Sequence, residues 1–123
     1  MVIKSFKDLQ VWQKAYALAL ELYKWTARFP EAERYGLTAQ IRRSAVSVPS
    51  NIAEGYARAQ TGEYLRFLHI SYGSLAELET KVMLARDLGY GDTDVHVGLM
   101  EKYREVERML SRLMRAIKPK PTP

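Results

Sequence analysis

The sequence predicts an all-α fold: an antiparallel, up-down-up-down four-helix bundle formed by a single domain of 123 residues. Three observations carry this. Apolar residues recur at alternating steps of three and four through four long segments, the period of one helix face. No stretch alternates apolar and polar residues as a half-buried strand does. Between the segments, Pro30, Gly62, Gly89 and Gly91 mark short connections, which make consecutive helices antiparallel neighbours.

The first helix is expected over residues 6–29. Ser5 and Asp8 have the spacing of a capping box, in which each side chain satisfies a backbone N–H of the other's segment. Leu9, Trp12, Tyr16, Ala19, Tyr23 and Thr26 form one apolar stripe, and Val11, Ala15, Leu18, Leu22, Trp25 and Phe29 form a second beside it. A helix apolar over most of its circumference needs cover on two sides. A neighbouring subunit is the expected second cover, with Val11, Leu18, Leu22 and Trp25 as the candidate oligomer interface. Pro30 ends the helix. The second helix is expected over residues 33–58, with Leu37, Ile41, Ser44, Val48, Ile52 and Gly55 facing inward. Pro49 lies inside it, removing one helical hydrogen bond and crowding the preceding turn, so the helix should kink there and continue.

The third helix is expected over residues 62–88, capped by Thr61. Tyr64, Leu68, Ser71, Leu75, Leu78, Val82 and Ala85 keep the period, while Leu65, Phe67, Ile70, Tyr72, Met83 and Leu84 widen the apolar surface. Gly89 should cap its C-terminus, and Asp92 or Thr93 should open the fourth helix. That helix, residues 93–117, carries the regular seam Leu99, Tyr103, Val106, Leu110, Leu113 and Ile117, followed by an exposed tail, 118–123, with prolines at 119, 121 and 123.

Composition narrows the chemistry. The chain is 47% hydrophobic and contains no cysteine, so it can build a core but has no disulfide, thiolate metal site or cysteine nucleophile. The N-terminus lacks a signal-peptide pattern, and charges interrupt every apolar run before the roughly 20 residues that span a bilayer. A cytoplasmic protein without a membrane partner is expected. Di-iron bundles need Glu-x-x-His pairs, but the two histidines, His69 and His96, follow Arg66 and Thr93 at that spacing. No metal or other cofactor is expected. Glu77 and Glu79 diverge by about 200° on a helix, so they cannot share a site. Glu79 is expected to form a structural ion pair with an arginine of another helix. Ser44, Ser47 and Ser50 have no histidine or lysine base that the sequence positions beside them, and no glycine-rich phosphate loop occurs. No catalytic residue is assigned, and the chain reads as a non-enzyme.

The basic residues stand out more. The formal net charge is +5 and the pI about 9.5. From Arg108 onward there are five basic residues and no acid. Arg104, Arg108, Arg112 and Arg115 align along one side of the fourth helix, although like charges one turn apart repel. Arg42 and Arg43 on the second helix, with Arg58 and Arg66 nearby in sequence, enlarge the candidate surface. Such a stripe suits a phosphate backbone, and it equally suits a solvated face. Two functions follow: an oligomer that binds RNA or another nucleic acid through Arg42, Arg43, Arg104, Arg108, Arg112 and Arg115, or a protein–protein scaffold with no nucleic-acid role.

Several short motifs stand in order along the chain: Phe6-Lys7-Asp8-Leu9 with Trp12, Tyr35-Gly36-Leu37, Gln40-Ile41-Arg42-Arg43-Ser44, Pro49-Ser50-Asn51-Ile52-Ala53-Glu54-Gly55, and Gly73-Ser74-Leu75-Ala76-Glu77-Leu78-Glu79-Thr80. Together they resemble the four-helix-bundle proteins encoded in 23S ribosomal RNA intervening sequences, over roughly residues 5–117. That resemblance implies a ring-like homopentamer without established enzymatic activity. It also implies structural roles for the motifs, with Gly36, Gly55 and Gly73 at close approaches or helix ends and Asn51 and Glu79 in buried polar contacts. The basic accessory proteins of diversity-generating retroelements are similar in fold. Five copies would raise the charge fivefold and make the basic surface multivalent.

Overall fold

Ser5 and Asp8 do form a capping box: Lys7 N–H donates to Ser5 Oγ at 3.1 Å and Ser5 N–H to Asp8 Oδ2 at 3.2 Å. What they cap is a 3-10 turn, Phe6–Asp8, after which Leu9 turns extended and α1 begins, Gln10–Thr26. The computed structural model describes residues 3–117, so the expected tail lies outside the described residues. Three further helices follow: α2, Leu37–Ala57; α3, Thr61–Asp87; and α4, Thr93–Ala116. Among the described residues there is no strand.

The element ends differ from expectation for local reasons. Glu31–Glu33 forms a separate 3-10 turn. The Glu33 carboxylate then accepts from Leu37 N–H at 3.1 Å and from the Tyr90 hydroxyl at 3.0 Å. This carboxylate serves one of the unpaired donors of the first turn of α2, which starts at Leu37. Thr61 lies inside α3 rather than capping it; the cap position is Gln60, whose side chain makes no capping bond. Asp92 caps α4 by accepting from Val95 N–H at 3.0 Å. Pro49 is accommodated within α2, which continues to Ala57.

The α3–α4 connection is built on two left-handed glycines. Gly89 (φ 80°) follows the last turn of α3, where Tyr90 N–H bonds Ala85 O and Gly89 N–H bonds Arg86 O, both at 2.9 Å. That pair of bonds is the Schellman closure of a helix C-terminus. Gly91 (φ 76°) lies against the indole of Trp25, whose N–H donates to Asp92 O at 3.2 Å.

Helices adjacent in sequence pack on one another and α1 also packs on α4, so α1 and α3, and α2 and α4, stand on the diagonals. Leu22 of α1, Ile41 and Ile52 of α2, Leu68, Leu75 and Leu78 of α3 and Leu110 of α4 are fully buried at the centre. Each such side chain contributes about 1.5–3 kcal/mol relative to exposure. The α2–α3 seam is lined by small and hydroxylated residues. Ser71 donates to Val48 O at 2.8 Å, Ser47 and Ser74 share a bond at 2.8 Å, and Asn51 donates to Ser47 O at 2.8 Å. At Gly55 a Cβ would come 2.9 Å from Phe67 Cβ, so the helices meet there at backbone distance. Gly73, by contrast, faces open space and permits no close approach.

The two stripes of α1 divide in the opposite sense to the one expected. Val11, Leu18, Leu22 and Trp25 are 1–5% exposed and lie inside the chain's own core. They are closed to a neighbouring subunit. Of the other stripe, Ala19 and Thr26 are buried while Tyr16 and Tyr23 stay exposed, with Leu20 beside them; the tyrosines' aromatic rings and hydroxyls tolerate a surface better than the leucines and valine of the inner stripe.

A candidate nucleic-acid interface on α3 and α4

Because α4 turns its seam of Leu99, Tyr103, Val106 and Leu110 into the core, its arginines fall on the outer side. Arg108, Arg112 and Arg115 are exposed. Together with Tyr72 of α3, Glu107 and Ser111 they line a groove of about 300 Å³ between the two helices. Arg115 donates to Ser111 Oγ at 3.2 Å, which steadies its guanidinium along the helix.

The fourth arginine of the stripe is committed elsewhere. Arg104 pairs with Glu79 across the helix interface and with Glu107 on its own helix at 3.1 Å. Hydrogen bonding to Glu107, reinforced by Glu79, raises its pKa further above the ordinary arginine value. Glu79 thus forms the interhelical ion pair expected of it. In pairing with Glu107, Arg104 offsets the charge of the one carboxylate that lines the groove.

The arginines of α2 do not join this groove. Arg42 reaches α1, donating to Thr26 Oγ1 at 2.9 Å and to Tyr23 O at 3.1 Å, with its guanidinium over the Tyr23 ring. It ties α1 to α2 on the side away from α3 and α4. Arg43 is exposed and forms no ion pair among the described residues. Arg58 and Arg66 pair with Glu54 and Glu63 and flank Phe67 at 5.0 and 4.7 Å, so their charge is largely offset.

Two features escape sequence reasoning. Tyr72 is 38% exposed beside the arginines, yet in sequence it reads only as one more apolar residue of α3. Lys81 Nζ lies 2.9 Å from Ser44 Oγ, supplying the neighbour that sequence spacing did not reveal across 37 positions. This pair is not a nucleophile with its base. Ser44 is 4% exposed in the α2–α3 seam, where no substrate carbonyl can reach it. Lys81, with Glu77 at 3.9 Å, instead satisfies the buried hydroxyl as a donor.

His96 is buried against Trp25, with ring centroids 5.9 Å apart, and its Nε2 has no hydrogen-bond partner. Burial, reinforced by Arg86, lowers its pKa against an opposing pull from Asp87. Among the described residues no three metal-ligating side chains converge, and no helix is long and apolar enough to cross a membrane.

A second concavity, about 370 Å³, opens on the α1–α2 face. Trp12, Tyr16, Leu20, Tyr23, Val46 and Pro49 line it, with Trp12 and Tyr16 stacked at 5.2 Å. This is the outer stripe of α1, whose partner on α2 the sequence did not identify.

Residues 7–112 match the family model described as 23S rRNA-intervening sequence protein. Among solved structures, a protein of unknown function from the S23 ribosomal protein family of Bacteroides thetaiotaomicron is similar, at 20% identity and a TM-score of 0.76. The alignment covers 85% of this chain and 98% of that one, a likeness of fold. No curated protein matches.

Proposed function

The chain belongs to the 23S rRNA-intervening sequence protein family, and from that premise we propose that it is a non-enzymatic, self-associating bundle that binds RNA through the α3–α4 groove. The observation that carries this reading is the group of three exposed arginines, Arg108, Arg112 and Arg115, around one groove. The one carboxylate lining that groove, Glu107, is engaged by Arg104. Phosphate is the ligand chemistry such a group fits. Arg104, Arg42 and Arg43 drop out of the binding set, because the first two brace the bundle and the third stands apart from the groove.

Self-association is the second half of the proposal. The homopentamer implied by the family resemblance is the assembly we assign, with the α1–α2 face in the role first given to Val11, Leu18, Leu22 and Trp25. Its support is the aromatic groove itself, an exposed apolar surface of the kind that marks a protein–protein contact. A second copy of this chain is the occupant. The α1–α2 and α3–α4 pairs occupy opposite sides of the bundle, so a contact centred on the first does not itself cover the arginines of the second.

Fluorescence anisotropy with a labelled RNA tests the binding. Three phosphate contacts to a single strand give a slope of log affinity against log salt near −2 per subunit. Raising salt from about 50 to 200 mM should therefore weaken binding by roughly 20-fold. A variant carrying Arg108→Glu, Arg112→Glu and Arg115→Glu should keep its mass by light scattering and lose binding. Wild-type protein that ignores RNA at low salt overturns the proposal.

A further inference from the structure

One side chain in the basic groove is not explained by charge. Tyr72 lines the groove with the arginines of α4, and among the described residues its hydroxyl makes no hydrogen bond. The contrast with Tyr103 on the facing helix is direct. Tyr103 is buried, and its hydroxyl donates to Leu75 O at 2.7 Å. Tyr72 instead stays 38% exposed in a groove that three arginines line, its hydroxyl without a partner among the described residues.

Resting on the RNA reading above, we infer that the groove takes single-stranded RNA, with one base stacked on Tyr72 and the flanking phosphates on Arg108, Arg112 and Arg115. Two considerations select the single strand. A duplex keeps its bases stacked inside and offers the protein chiefly phosphates and 2′-hydroxyls, for which an aromatic ring has no use. A single strand exposes its bases, and aromatic residues set among basic ones are the sequence-tolerant means of holding them. The groove volume, about 300 Å³, matches a site for one small ligand, hence one nucleotide rather than a length of duplex. Arg108 and Arg112, one turn apart on α4, stand about 6 Å from each other along the helix axis and reach phosphates on either side of the stacked base. Arg104 keeps Glu107 from opposing them.

The test compares a 12-nucleotide unstructured RNA with a 12-base-pair RNA duplex, by anisotropy at about 50 mM salt. Wild-type protein should prefer the single strand. Tyr72→Ala should weaken single-strand binding by about 10- to 100-fold, the loss of one stacked base. Its duplex affinity and its salt slope should stay unchanged, and Tyr72→Phe should bind the single strand as wild type does. Unfolding temperature controls for structural damage. Equal affinity for strand and duplex, or a Tyr72→Ala protein that binds the strand normally, overturns the stacking site while leaving the RNA reading intact. No binding of either RNA overturns both.

Discussion

Gly89 and Gly91 share nearly the same left-handed backbone, φ 80° and 76°, but differ completely in their surroundings. A Cβ on Gly89 meets nothing within 4 Å. A Cβ on Gly91 would fall on the Trp25 indole, 2.6 Å from Cε2. Gly89→Ala should therefore incur only the left-handed penalty, about 1–2 kcal/mol. Gly91→Ala incurs the same penalty and must also displace a nearly buried ring. Forcing such an overlap costs about 1–3 kcal/mol, and loss of the indole bond to Asp92 O adds about 1 kcal/mol. The gain from stiffening the unfolded chain applies equally to both variants and cancels in the comparison. The gap between them should be about 2–4 kcal/mol, or roughly 8–16 °C in Tm for a domain of this size. Thermal unfolding followed by circular dichroism measures the gap, and tryptophan fluorescence reports whether the indole has moved. Variants that melt within about 2 °C of each other would refute the claim that the α3–α4 loop is clamped on Trp25.

Two other outcomes follow from the same kind of accounting. The folded-state pKa of His96 is lowered by burial and Arg86, so between that value and the unfolded value near 6.5 the unfolded chain binds the extra proton. Stability should be full above about pH 6.5, fall as pH drops, and level off below the folded-state value. Urea titrations across that range should show the slope, and His96→Leu should reduce it. On the α1–α2 face, Leu20 is 50% exposed in the groove. Leu20→Glu should leave the subunit's helical content by circular dichroism unchanged, as surface changes usually do, while light scattering reports dissociation to 14.2 kDa subunits. Unchanged mass would count against that face as the interface.

The helices were legible because Leu99, Tyr103, Val106 and Leu110, and most of their counterparts on α2 and α3, recur without conflict and become buried, with Tyr64, Leu113 and Ile117 partly so. On α1 the same rule supplied two stripes and no means of ranking them, since periodicity records that a face is apolar and not which neighbour covers it. The tyrosines at 16 and 23 were the usable clue to the outer face. Glu79 and Arg104 lie 25 residues apart, and Ser44 and Lys81 37 apart. Such pairs depend on how α2, α3 and α4 are rotated against one another, which one chain's spacing does not encode. The arginine stripe was visible, but its division into a bracing Arg104 and three free groups was not. Tyr72 was hidden for a related reason: an aromatic at helical spacing is read as core until the facing helix is seen to carry arginines.

The α2–α3 seam has a consequence for how the bundle opens. Its serine hydroxyls bond the neighbouring helix's carbonyl and hydroxyl oxygens, and Gly55 lets the two backbones meet. These contacts exist only when the two helices are in register. The hairpin should therefore open as one cooperative unit rather than fray turn by turn. The amides around Ile52 and Leu68 would then share a single slow hydrogen-exchange rate, while the last turn of α4, with its exposed arginines, exchanges early.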